Sequence, residues 1–411
     1  MDDEARHRIE WMLSRRKLLK GSALLGASAF LAACAPGTSQ GTAGPSPTST
    51  APTGPLDFAN WDAYIDLTTL PGPDGQIGTD DDEYDLPSPT LDEFTAKYGV
   101  QVNYVNAKID ENESFMAGIR PQLQKGLDTG WDLIVLTSWM ASKVVAAGWA
   151  EKIDHAITPT ALANVRDPLK EAWDPNFDYH FPWQSFATGV GYNRASTGRD
   201  LTKIADLFDP AFAGKVTLLE DPHDTFPLVH LMLQAQGKAS ATKAEQMTSD
   251  DAQVVHDYLK PFVDSGHIRG FTGNRYLQDF ASGDTWAALV WSGDLASSGG
   301  PDDHFVFPDE GSMIATDNMM IPKAAKHPYT AELMMDWVYD VGRAARLAEF
   351  IYYISPVTGV SDFIKASDPD LAANVLLFPT ADILAKQHPQ PTWDEATELK
   401  INQLFADLRG V

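Results

Sequence analysis

The sequence predicts an α/β protein built as two lobes, and three observations carry that prediction. Short β-rich apolar runs alternate with amphipathic helical stretches along most of the chain. Its 411 residues are too many for one ordinary domain. Its 44% hydrophobic and 10% aromatic residues provide enough apolar material for sizeable cores, which excludes global disorder.

Strands are expected at "VQVNYV" (100–105), "WDLIVLT" (131–137), "KVTLLE" (215–220), "WAALVWS" (286–292) and "NMMIP" (318–322), with Phe58 in the core of a first strand. Helical periodicity marks "LDEFTAKYG" (91–99), "ESFMAGIRPQLQKGL" (113–127) and "DAQVVHDYLKPFVDSG" (251–266). A longer helix is expected over "YTAELMMDWVYDVGRAARLAEFI" (329–351).

The N-terminus reads as an export signal. "SRRKLLK" (14–20) is a twin-arginine pattern, and the apolar run "GSALLGASAFLAA" (21–33) is too short to span a membrane stably. It ends at Cys34, the only cysteine in the chain, in the sequence "LAAC". That ending resembles a bacterial lipobox, which implies a signal peptide over 1–33 and lipidation of Cys34. Residues 34–55, rich in Ala, Pro, Gly, Ser and Thr, read as a flexible tether. A soluble body leashed to the outer face of the membrane follows, in which no disulfide can form.

Net charge is −26, so no basic face is available for nucleic acid, and cationic partners are favoured. The insertion "PGPDGQIGTDDDEYD" (71–85) has clustered Asp and Gly that could offer oxygen ligands to calcium, but its order is not that of an EF-hand. A solvated acidic loop is the commoner explanation, and no metal or cofactor is expected. Neither a G-x-S-x-G elbow, an H-E-x-x-H helix nor a phosphate-binding loop is present, which argues against an enzyme. Of the ten histidines only His223 is expected near a site.

In open α/β sheets ligands gather beyond the carboxyl ends of strands. Four such ends, "NWDAY" (60–64), "TSW" (137–139), "EDPHDT" (220–225) and "WSGD" (291–294), together gather Trp, Tyr and Asp and contain no Lys or Arg. Aromatic faces attract ammonium groups and cover methylenes, and carboxylates give charge-assisted hydrogen bonds. Such a cleft suits an organic cation. An amino acid would need an arginine fork for its carboxylate, whereas a sugar stays open.

The ordered set "FANWDAY", "GWDLIVLTSW", "WDPNFDYHFPW", "LFDPAFAGKVTLLEDPHDTF", "ALVWSGD", "DEGSMIATDNMMIPKAAKHP" and "YYISPVTG" resembles the bacterial spermidine/putrescine-binding proteins, periplasmic receptors of polyamine ABC importers, across about residues 56–411. The resemblance implies a two-lobed, type II periplasmic-binding fold with a cleft between the lobes. It also implies a monomeric receptor that hands a polyamine to membrane permease subunits. Lobe 1 is expected over 56–186 and 317–361, and lobe 2 over 187–316 and 362–411. Carried over residue by residue, Trp61 and Tyr64 match the first aromatic walls. Thr137 falls at a small hydroxyl position, and Trp139 stands where the family usually has Tyr. Asp221 and Asp224 match an acidic pair gripping one ammonium end, Trp291 a stacking indole, and Asp294 the acid of putrescine-type members. Asp317 matches the central carboxylate, Tyr353 another aromatic, and Gln390 a polar contact.

Two departures stand out. Ala315 replaces an aromatic usually found two residues before the central acid, and the first motif's acid has moved to Asp62, followed by Ala63. Adjacent Tyr352 and Tyr353 also resemble the tandem phenolates of ferric-binding receptors. The same fold with ferric ion or a sugar as ligand is therefore the alternative.

Overall fold

In the computed structural model the described residues are 51–61, 64–70, 83–85, 88–109 and 111–410. The signal region, Cys34, Asp62 and most of the acidic insertion lie outside them. The strands are β1 (Leu56–Trp61), β2 (Thr68–Leu70), β3 (Glu83–Asp85), β4 (Val102–Ile109), β5 (Leu133–Thr137), β6 (Phe181–Asn193), β7 (Val216–Leu219), β8 (Ile268–Thr272), β9 (Ala287–Trp291), β10 (Asp303–Val306), β11 (Ser312–Met320) and β12 (Gln387–Pro389). The longer helices are α1 (Pro89–Tyr98), α2 (Asn112–Leu123), α3 (Ser138–Ala146), α4 (Pro222–Ala235), α5 (Ser249–Asp264), α6 (Ser292–Ser298), α7 (Pro328–Val338), α8 (Val341–Ile351) and α9 (Glu395–Arg409).

One sheet runs through both lobes in the order β4-β1-β5-β11-β6-β9-β7-β8, with β10 beside β6 and β12 beside β11. β1, β4 and β5 pair in parallel, as do β7, β8 and β9. β11 is antiparallel to β5, and β6 to β9. The halves meet in the antiparallel β11–β6 pair.

In lobe 1 the sheet is covered on both faces. Leu133, Val135 and Met319 pack into one cluster with α7 and α8, and Ile134, Leu136 and Met320 pack into another with α2 and α3. Successive strand residues point to opposite faces, so a strand buried on both sides reads as a continuous apolar run. That is why "LIVL" stood out in the sequence. Phe58 is fully buried, edge-on to Tyr104 and Trp183. Lobe 2 has its own core, built from Val190, Val216, Leu218, the β9 run and the helices around them.

Several expectations need correction. The return to lobe 2 comes later than residue 362, because Val360, Ile364, Leu371 and Leu377 are part of the lobe 1 core and Trp393 is the first later residue in the lobe 2 core. The tether expected to run to residue 55 is drawn too long, because Thr53 exchanges backbone hydrogen bonds with the Thr330 hydroxyl at 2.9 and 2.6 Å. The long helix at 329–351 is two helices, because Asp340 accepts hydrogen bonds from the backbone N–H groups of Gly342 and Arg343 and starts α8 afresh. β6 was not anticipated, since Pro182, Gly189 and Gly191 break its β signature. Its glycines are required by close approach: a Cβ at Gly189 would meet the Val306 carbonyl at 2.6 Å.

Candidate functional site

The carboxyl ends of the parallel strands in the two lobes bring together three carboxyl groups, each in its own cradle. Asp317 sits on β11 opposite Thr137, where the pairing with β6 slips between Asp317 and Asn318. A slipped register of this kind re-aims a side chain. Asp317 Oδ2 accepts from the Tyr64 hydroxyl at 2.8 Å and Oδ1 from the Thr137 hydroxyl at 2.7 Å. Thr137 is held in turn by Asn112, through both its hydroxyl and its backbone N–H. Burial pushes the Asp317 carboxyl up to about 6, against the lowering effect of the two hydroxyls.

Asp224 lies in the first turn of α4 and is just as buried. Its Oδ1 accepts from Thr188 at 2.8 Å and from the Gln390 amide at 2.9 Å, and its Oδ2 from the Trp291 indole at 2.9 Å. Its carboxyl is pushed up to about 6, first by burial and then by the charge of Asp221, while the three donors pull it down. Asp294, on α6, accepts from Tyr276 at 2.6 Å and Asn274 at 2.5 Å, with the Tyr353 hydroxyl 3.4 Å away. Burial and the neighbouring carboxylates raise the Tyr64 and Tyr276 phenols well above their ordinary range.

Aromatic rings connect the cradles across the lobe boundary. Tyr64 meets Tyr353 edge-on at 5.3 Å, Tyr353 meets Phe186 at 5.6 Å, Phe186 meets Trp291 at 6.2 Å, and Trp291 meets Tyr276 at 6.4 Å. Phe186 stands directly opposite Ala315 in the β11–β6 register. Cross-strand partners share a face. The Phe186 ring therefore lies on the same face as Ala315, which itself carries no ring. Gly293 lets Tyr353 approach α6, because a Cβ there would lie 2.2 Å from the tyrosine ring.

The other expected residues are placed differently. Asp221 is the N-cap of α4: its Oδ1 accepts from the His223 backbone at 2.8 Å and faces the imidazole Nδ1 at 3.0 Å. Trp139 stacks on His223 at 4.1 Å, and Trp393 stacks on the same imidazole at 4.4 Å. Trp139 comes from the lobe 1 core and Trp393 from that of lobe 2, so this sandwich bridges the lobes beside a Lys143–Glu398 ion pair. Trp61 ends β1 with its indole N–H donated to the Val135 carbonyl at 3.1 Å, and packs within lobe 1. Tyr352 closes α8 in the left-handed region at φ 63° and packs on the lobe 1 core, apart in role from its neighbour Tyr353.

Sequence reasoning missed Phe186, Thr188, Asn274, Tyr276, Gly293 as a contact surface, and Trp393. Phe186 and Thr188 lie on the unanticipated β6, and Tyr276 lies within a helix rather than at a strand end. The one available signal was "WSGD", where a glycine between a tryptophan and an acid marks a close approach.

Chemically, Asp317 and Asp224 are desolvated carboxyls surrounded by hydroxyl, amide and indole donors, and neither has a Lys or Arg ion-pair partner among the described residues. A carboxylate has about four lone-pair sites. Two or three are occupied in each cradle, which leaves room for a cationic donor. Among the described residues no group of acidic, His or Cys side chains is arranged to hold a metal ion.

Two lobes on one shared sheet, with a polar and aromatic site where they meet, define the type II periplasmic-binding architecture. The chain belongs to the family of bacterial extracellular solute-binding proteins, whose sequence profile matches residues 90–380. It is 26% identical over 328 residues to spermidine/putrescine-binding periplasmic protein 1 of Haemophilus influenzae, covering 79% of this chain and 86% of that one. It is 26% identical over 300 residues to a putrescine/cadaverine-binding protein of Pseudomonas aeruginosa, covering 68% and 80%. The crystal structure of a spermidine/putrescine ABC transporter substrate-binding protein from Streptococcus pneumoniae superposes with a TM-score of 0.68 at 17% identity, over 86% of this chain and 98% of that one.

Proposed function

We infer that the protein captures a polyamine of the putrescine/spermidine class outside the cytoplasm and delivers it to the permease of an ABC importer. The observation that carries this reading is the set of buried carboxyls, Asp317, Asp224 and Asp294, joined across the lobes by the rings of Tyr64, Tyr353, Phe186 and Trp291. Each ammonium end of a diamine restores the charge balance of a carboxylate that is costly to bury alone. The rings cover the methylenes between the ends. Relatives named for spermidine, putrescine and cadaverine support the same class.

No bond is made or broken. Ligand contacts from both lobes favour the closed arrangement, and that arrangement is what a permease recognises. The twin-arginine segment and Cys34 support export followed by lipid anchoring on the outer face of the membrane.

Titration calorimetry with putrescine, cadaverine, spermidine and spermine, and with amino acids, sugars and ferric ion as controls, tests the reading. One-to-one saturable binding of at least one polyamine, and of no control, is expected. Silence from every polyamine sinks it.

A further inference from the structure

A cavity of about 310 Å³ is lined in part by Arg166, Ser355, Val357, Ser361, Phe378 and Pro379. None of the carboxyls or rings of the cleft lines it. Its organising feature is a half-buried arginine in a strongly acidic protein. Arg166 is pinned by its backbone N–H donating to the Pro356 carbonyl at 2.9 Å, while the neighbouring Val165 bridges Val357. Its Nη1 makes a long 3.3 Å contact to the Ser355 carbonyl. No carboxylate among the described residues pairs with it. Asp167, the acid next to it on the cavity rim, is exposed and pairs with Lys170 at 2.7 Å. Burial pulls the guanidinium below its ordinary range, with no opposing carboxylate.

A guanidinium offers five donors in a planar fork suited to a carboxylate or phosphate. Among the described residues the one partner of that fork is the Ser355 carbonyl. Val357, Phe378 and Pro379 add apolar walls, which favour an organic body over a bare inorganic ion. At about 30 Å³ per water the cavity has room for about ten water molecules, or a compact acid of similar size. We propose that this cavity is a second ligand site, in which Arg166 binds the carboxylate of a small organic acid and the Val357–Phe378–Pro379 wall covers its apolar body.

The test is fluorine NMR of the protein with 4-fluorobenzoate, compared with neutral 4-fluorobenzyl alcohol. Saturable binding of the acid is expected, with the alcohol at least tenfold weaker. Arg166→Met should weaken the acid at least tenfold and Arg166→Lys by less, with putrescine affinity unchanged in both. Excess putrescine should not displace the acid, and inorganic phosphate should compete at least tenfold less well than unlabelled benzoate. The proposal falls if the acid does not bind, if neither Arg166 variant alters it, if putrescine displaces it competitively, or if the alcohol or phosphate equals it. Thermal melts confirm that the variants fold. If the methionine variant does not, the lysine variant and the alcohol comparison decide.

Discussion

The lobe 1 carboxyl, Asp317, and the lobe 2 carboxyl, Asp224, are equally buried and both pushed up to about 6, yet their cradles are of different kinds. Asp317 is held by two hydroxyls, which can reverse from donor to acceptor by turning one hydrogen. Asp224 is held partly by an indole N–H, which can only donate, and it feels the charge of Asp221 nearby. Lobe 1 therefore offers a cradle that adapts to the protonation state of its acid. Lobe 2 offers one already polarised for an anion.

The largest expected effect comes from neutralising the acids. Asp317→Asn should weaken polyamine binding by roughly 100-fold or more by calorimetry, since a desolvated ammonium left unpaired costs about 3 kcal/mol. Equal affinity in variant and wild type would remove Asp317 from the site. Without ligand the sign reverses. A carboxyl raised from 3.8 to about 6 stabilises the fold fully below pH 3.8, and that stability is lost as pH rises through about 6. Ligand-free Asp317→Asn should therefore be more stable to unfolding than wild type at pH 8, by up to about 3 kcal/mol. Asp224→Asn should gain less, because its indole donor cannot reverse. Equal gains would erase the contrast between the cradles.

Binding should follow the same titration. Affinity should be flat above about pH 7 and fall by up to about tenfold per pH unit for each acid as pH drops below 6. Calorimetry in buffers of different ionisation enthalpy should show net proton release on binding near pH 6. A pH-independent affinity between 5 and 8 would show that neither acid pairs with the ligand.

Smaller effects separate contact from closure. Gly293→Ala places a methyl group into the Tyr353 ring, so a loss of about tenfold in affinity is expected from a contact displaced by ångströms. Solution scattering should then show a less compact liganded state, and unchanged compaction would deny Gly293 a part in closure. Trp139→Leu removes one side of the His223 sandwich, worth about 1 kcal/mol beyond its buried area. A fewfold weaker affinity with a more open free protein is expected, whereas a 100-fold loss would make Trp139 a direct ligand wall.

Much of this was legible in the sequence, for reasons that particular residues make plain. "LIVL" before Thr137 and "AALV" before Trp291 are buried on both faces, so their burial is written as unbroken apolar runs. Tyr64, Thr137, Asp224 and Asp294 stand in strand-end segments, where ligands concentrate, whereas Asp317 lies inside β11 and was marked only by the family resemblance. Phe186 and Thr188 could not, because β6 mixes proline, glycine and polar residues as it passes between two cores. Asp221 and Trp139, expected as ligand groups, are engaged in capping and stacking, which recruit the same residue types as binding. Which of the two a residue serves depends on partners such as His223 and Trp393, far away in sequence.

The β11–β6 pair, which makes both lobes parts of one sheet, has a mechanical consequence. Asp317 rides on β11, and Phe186 and Thr188 ride on β6. Any change of angle between the lobes must twist this ribbon, and the twist moves Asp317, Phe186 and Thr188, the groups proposed to grasp the ligand. With the ligand held as proposed, the grip and the joint are one spring, and a solute of the wrong length would register as torque on this strand pair.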